Sequence, residues 1–160
     1  MLKVVSNTTP IISLLKIGQL NLLHKLYEEV YIPQEVFNEI EAGKNKDFYT
    51  NLSIIEWLKI EKIKAPKALN YFLDLDKGEA EAIILASELN ADLIILDETL
   101  GRFHAKHAGL KITGTIGVLL KAKQKGFITN IKELLFELRA GGIWLSDKII
   151  AEILKLANEE

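Results

Sequence analysis

A chain of 160 residues, 49% hydrophobic and 26% charged, is long enough to enclose an apolar core, and no composition break marks a second domain, so a single domain over 1–160 is expected. The formal charge of −2 argues against a uniformly basic wrapper of nucleic acid, yet it permits a local basic rim around an acidic site. With no cysteine, disulfide frameworks, thiolate zinc sites and cysteine nucleophiles are excluded. No apolar run reaches the roughly 18 residues of a membrane span, so a soluble, cytoplasmic protein is expected.

Val4-Val5 reads as a first strand, followed by the polar turn Ser6-Asn7-Thr8, with Thr9-Pro10 as N-cap and first-turn residues of a helix. The apolar positions from Ile11 to Leu26 divide into two helices near Gly18. Val30-Tyr31-Ile32 is a short strand ending at Pro33, which opens a helix through Glu41 whose inward stripe holds Val36, Glu39 and Ile40. The stretch 44–51 is a polar excursion, and the apolar pattern resumes from Ile54 to Ile60 without deciding between helix and strand. From Lys77 to Asn90 the spacing predicts a helix with Glu79, Ala82, Ile83 and Ala86 on one face. Leu93-Ile94-Ile95-Leu96 suits a central parallel strand buried on both faces, and Asp97-Glu98 ends it. A helix with Arg102, His104, Lys106 and His107 follows, then a short strand around Ile112. Thr113-Gly114-Thr115 opens the first of three amphipathic helices that complete the chain. This alternation predicts a three-layer α/β/α fold with a mainly parallel central sheet, in which ligands sit outside the carboxyl ends of the strands.

Four polar positions interrupt apolar patterns: Asn7 and Asp97 after strands, Glu39 and Glu79 on helix stripes. Clustered buried carboxylates repel one another and raise each other's pKa unless cations neutralise them. Oxygen ligands without cysteine favour a hard ion such as Mg2+ or Mn2+, which also binds phosphate oxygens, so phosphodiester cleavage is the chemistry that fits. Each position also has a plainer reading. A lone Glu on a helix stripe usually reaches solvent or an Arg, and Asn7 can simply cap a turn.

The fragments Val4-Val5-Ser6-Asn7-Thr8-Thr9-Pro10, Ile32-Pro33 with Val36 and Glu39, Leu75-Asp76-Lys77-Gly78-Glu79-Ala80-Glu81-Ala82-Ile83, Leu96-Asp97-Glu98 and Thr113-Gly114-Thr115-Ile116-Gly117-Val118-Leu119-Leu120 resemble PIN-domain proteins in order and spacing across nearly the whole chain. The similarity is to a prokaryotic, toxin-like (VapC-like) branch. The resemblance implies a Mg2+- or Mn2+-dependent endoribonuclease, commonly the toxin half of a toxin–antitoxin pair and often a homodimer, with RNA and a small antitoxin protein as partners. By position it makes Asn7, Glu39, Asp97 and either Glu79 or Glu81 the catalytic acids or metal ligands; Glu79 is preferred for its stripe, and Glu81 stays open. Thr8 or Thr9 can help hold a bound water or phosphate. Asn7 stands where the family usually has its first aspartate, and an amide brings no negative charge to a metal. A weakened or inactive RNA-binding or regulatory module on the same fold is therefore the alternative.

Other motifs carry less. His104 and His107 have the spacing of a zinc pair without a suitable third ligand. Asp74-Leu75-Asp76-Lys77-Gly78 opens like a calcium loop but then places Glu79 and Leu85 at its glycine and acid positions. Gly114 to Gly117 lacks a complete nucleotide-binding pattern. Arg102, Lys106 and Lys111, with Lys121, Lys123 and Lys125, form the densest basic region and can line a phosphate groove. Trp57, Trp144, Phe127 and Phe136 can stack bases, although core packing or a dimer contact is the commoner use.

Overall fold

The computed structural model describes residues 2–160. Five parallel strands, β1 (Val4–Ser6), β2 (Val30–Pro33), β3 (Leu58–Glu61), β4 (Leu93–Ile95) and β5 (Ile112–Thr113), form one sheet in the order β3-β2-β1-β4-β5. The helices are α1 (Thr8–Lys16), α2 (Asn21–Tyr27), α3 (Gln34–Glu41), α4 (Lys77–Glu88), α5 (Thr99–His107), α6 (Thr115–Gln124), α7 (Lys132–Ala140) and α8 (Asp147–Leu156). Short 3-10 turns at Leu52–Ile54 and Pro66–Tyr71 flank β3. The expected α/β/α architecture is present, with a wholly parallel sheet.

Side chains alternate across a strand, and the two apolar cores record that alternation. Val4, Val30, Ile32 and Ile95 join one core with residues of α1, α2, α3, α6, α7 and α8; Val5, Ile94 and Leu96 join the other with Ala82, Ile83, Leu85 and Ala86 of α4 and Ala105 of α5. Burial on both faces explains why the Leu93 to Leu96 run is unbroken in apolar character.

Gly18, at φ +67, takes the left-handed turn between α1 and α2, which a side chain rarely adopts. The segment left undecided by its pattern becomes β3 at the sheet edge, where Val30 to Pro33 pair with Leu58 to Glu61. Among the described residues no helix is long and apolar enough to cross a membrane.

The chain adds β2 and β3 on one side of β1, then crosses to add β4 and β5 on the other. The strand order reverses between β1 and β4, and a crevice opens at the carboxyl end of such a pair. Asn7 and the Asp97-Glu98 pair stand at that place.

Candidate active site

The β1–β4 ladder continues past the strand, since Asn7 N–H donates to Ile95 O at 3.0 Å. Asn7 is 2% exposed. Its Nδ2 donates to Glu98 Oε2 at 3.3 Å, and its buried Oδ1 has no hydrogen-bond partner. Helix α1 starts at Thr8, one residue before the expected cap, with Asn7 at the cap position making no side-chain cap bond. The hydroxyls that follow serve the site instead. Thr8 Oγ1 donates to Glu39 Oε2, and Thr9 Oγ1 donates to Glu98 Oε1 at 2.6 Å. Three consecutive residues at one strand-to-helix junction thus engage two carboxylates from distant parts of the chain.

Glu39 reaches the junction from α3, and α4 comes close because residue 78 is glycine. A Cβ on Gly78 would lie 2.5 Å from Glu39 Oε1. Asp76 caps α4, accepting from Glu79 N–H at 2.8 Å. Glu79, 7% exposed, is one of two glutamates that α4 buries, and its Oε2 has no partner. That oxygen would lie 2.7 Å from a Cβ on Gly101, so α5 also needs a glycine to pack here. Burial first, then the hydrogen bond and charge of Asp76, then the charges of Glu98 and Glu39, push the Glu79 carboxyl up to about 8. Burial also raises Glu39, against the Thr8 hydroxyl, which lowers it.

Of the residues expected from sequence, Asn7, Glu39 and Glu79 are thus brought together, with Thr8 and Thr9 against them. Asp97 and Glu81 carry hydrogen bonds to neighbouring elements, and a Cβ on Gly114 would lie 2.5 Å from both Asp97 Oδ1 and an Arg102 guanidinium nitrogen. Both oxygens of Asp97 are engaged by Thr115, from N–H at 2.8 Å and Oγ1 at 2.6 Å, which fixes the start of α6. Glu81 Oε1 accepts from Glu35 N–H at 3.2 Å, at the start of α3. Arg102 Nε donates to Leu96 O at 2.8 Å, which holds its guanidinium at the carboxyl edge of β4, and Lys106 is exposed one turn further along α5. His104 is 2.9 Å from Asp74 Oδ2.

Sequence reasoning passes over Asp76 and Glu98, although strand parity holds the signal for Glu98. Val5 pairs with Ile94, so continuing the alternation past the strand ends would put Asn7 on the side of Leu96 and Glu98 and Asp97 on the side of Ile95. The second side is the one that α6 covers. For Asp76, the signal is an acidic cap three residues before Glu79.

The family model for the PIN domain matches residues 3–159. The chain belongs to the PIN-domain family. No curated protein and no solved structure matches it. Membership suggests a nuclease or RNA-related function for this PIN domain, and PIN nucleases generally use divalent metals. Among the described residues no three acidic or His side chains already converge at metal-binding distance. The donors nevertheless fit a hard cation. Two buried oxygens, Asn7 Oδ1 and Glu79 Oε2, are orphaned, and Glu79 lies among three further carboxylates that oppose its ionisation.

Proposed function

We propose that this PIN domain is a divalent-metal-dependent endoribonuclease whose ligands are Asn7, Glu39, Glu79 and Glu98. The observation that carries the reading is the orphaned Glu79 Oε2, packed against Gly101 of α5, in a carboxyl pushed up to about 8 by its burial and by Asp76, Glu98 and Glu39. Such a group stays ionised at neutral pH only beside a positive charge, and a structural role alone gives no reason to bury it there. When bound, Mg2+ or Mn2+ would supply Lewis-acid polarisation of a phosphate oxygen and a more acidic water.

The chain's own residues do the rest. Thr8 and Thr9 orient Glu39 and Glu98, Asp97 ties the end of β4 to α6 through Thr115, and Asp76 fixes the first turn of α4 beneath Glu79. Arg102, held at the carboxyl edge of β4, is a cation positioned for an RNA phosphate. The toxin role, with an antitoxin protein and a second copy of the chain as partners, rests on the sequence resemblance to the toxin-like branch. One observation favours a second reading, a PIN-like RNA-binding or regulatory module without cleavage: Asn7 supplies the central donor without a charge.

Cleavage of a mixed RNA pool with Mn2+, with Mg2+ and with chelator is the test, with Glu98→Gln as the control for contaminating nuclease. Wild type should cut only with metal and Glu98→Gln not at all. Glu81→Gln should keep cleavage while losing about 1 kcal/mol of stability from the α3 terminus. Equal cutting by wild type and Glu98→Gln would defeat the reading.

Gly78→Ala probes the site without removing a ligand. The added Cβ meets the movable end of Glu39, and alanine favours a helix by about 1 kcal/mol over glycine, so the melting temperature should hardly move. Displacing one ligand by about 1 Å should still lower cleavage on the order of 100-fold. A variant that cuts like wild type would remove Glu39 from the ligand set.

A further inference from the structure

The outer face of α5 carries a feature the acidic cluster does not use. Gly101 and Ala105 are the residues this helix buries, yet Phe103 is 54% exposed and Leu100 47% exposed beside it. The Phe103 ring lies 4.4 Å from that of His107, with the planes 35° apart, and His104 meets its edge at 5.7 Å. His104 is fixed in turn by Asp74 and by the edge of Phe72 at 5.4 Å. The exposed phenyl is therefore backed by aromatic rings on its own helix.

A basic stripe runs beside it. At 100° per residue, Leu100, Phe103 and His107 share one stripe of the helix, and Arg102 and Lys106 share the next. Arg102 is held to Leu96 O, so this stripe begins at the carboxyl edge of β4, where Glu98 enters the cluster. An apolar partner protein would cover Phe103 and Leu100 but would have to desolvate Arg102 and Lys106 to reach them. A nucleotide uses both stripes, because its base has a face that stacks and its phosphate carries the charge the second stripe lacks.

We propose that Phe103, backed by His107, is a stacking platform for an unpaired RNA base, with the adjoining phosphates on Arg102 and Lys106. The proposal deepens the nuclease reading and rests on it for the identity of RNA, so it is tested by binding with chelator present and without turnover.

The probes are a fluorescein-labelled single-stranded oligoribonucleotide and a duplex of the same length, read by anisotropy. Phe103→Ala should weaken single-strand binding about tenfold and Phe103→Trp should restore it, with the duplex affinity changed less than about twofold. Equal single-strand affinity in Phe103→Ala and wild type, or no single-strand binding by wild type, overturns the platform. A shift of Phe103→Ala from dimer to monomer in sedimentation, with RNA affinity unchanged, would also overturn it and give this face to a second copy of the chain. Metal-dependent cutting by wild type would survive any of these, so failure of the platform and failure of the nuclease reading are told apart.

Discussion

Glu79→Gln is expected to abolish metal-dependent cleavage and, in the same protein, to raise the melting temperature measured with chelator near pH 8. The amide keeps the shape of the side chain on α4 and removes the charge that Asp76, Glu98 and Glu39 oppose. The wild-type carboxyl holds its proton to about 8 in the folded protein, against an ordinary value of 4.5. Between those values the folded chain binds more protons than the unfolded one, so stability falls as pH rises. The contribution is complete below the ordinary value and lost as pH passes the folded one. The slope is at most about 1.4 kcal/mol per pH unit for one group. Wild type with chelator should therefore melt lower at about pH 8 than at about pH 5.5, while Glu79→Gln should show a flatter profile. Saturating Mn2+ should restore wild type at the higher pH and leave the variant unmoved, because binding to deprotonated oxygens is linked to proton release. A wild-type profile that matches the variant's, with or without Mn2+, would show that Glu79 neither resists ionisation nor binds metal.

The same residues show how far the sequence could be read. Glu79 was legible because its stripe includes Ala82, Ile83 and Ala86, so a helix period alone makes it buried, and the structure buries it at 7% exposure. Glu81 is just as buried, and composition cannot separate the two. The direction of each around α4 decides, one toward Gly101 of α5 and the other toward the start of α3. Asp97 and Glu98 pose a similar problem just past the end of β4: the sequence does not say which of two adjacent acids meets Asn7, and the structure pairs Asn7 with Glu98 and Thr115 with Asp97. The parallel sheet was readable from the unbroken run at β4 and the alternation of elements. At the edge strand β3, four residues with one buried position and partly exposed neighbours make too short a pattern to exclude a helical turn. Tertiary pairing with β2 supplies what the local pattern lacks.

Asn7→Asp is the substitution expected to raise activity. Asn7 Oδ1 is buried without a partner, while Nδ2 donates to Glu98 at 3.3 Å. An aspartate here exchanges that donor for an oxygen facing another carboxylate, so with chelator at neutral pH the variant should lose about 1–3 kcal/mol of stability. With metal the sign reverses. A further negative ligand in a rigid oxygen site should tighten Mn2+ binding at least about tenfold, and cleavage at limiting Mn2+ should rise with it. Calorimetric titration of Mn2+ into both proteins, followed by RNA cleavage across the same Mn2+ range, separates the readings. Tighter binding with faster cleavage means that Asn7 holds a ligand position in a complete but weakened centre. Tighter binding without cleavage by either form, while single-stranded RNA still binds, would mean that the fold keeps its nucleic-acid face and has lost the reaction. Unchanged Mn2+ affinity would take Asn7 out of the ligand set and leave its orphaned oxygen to a hydrogen bond with substrate, since a buried amide oxygen at this switch point still requires a donor.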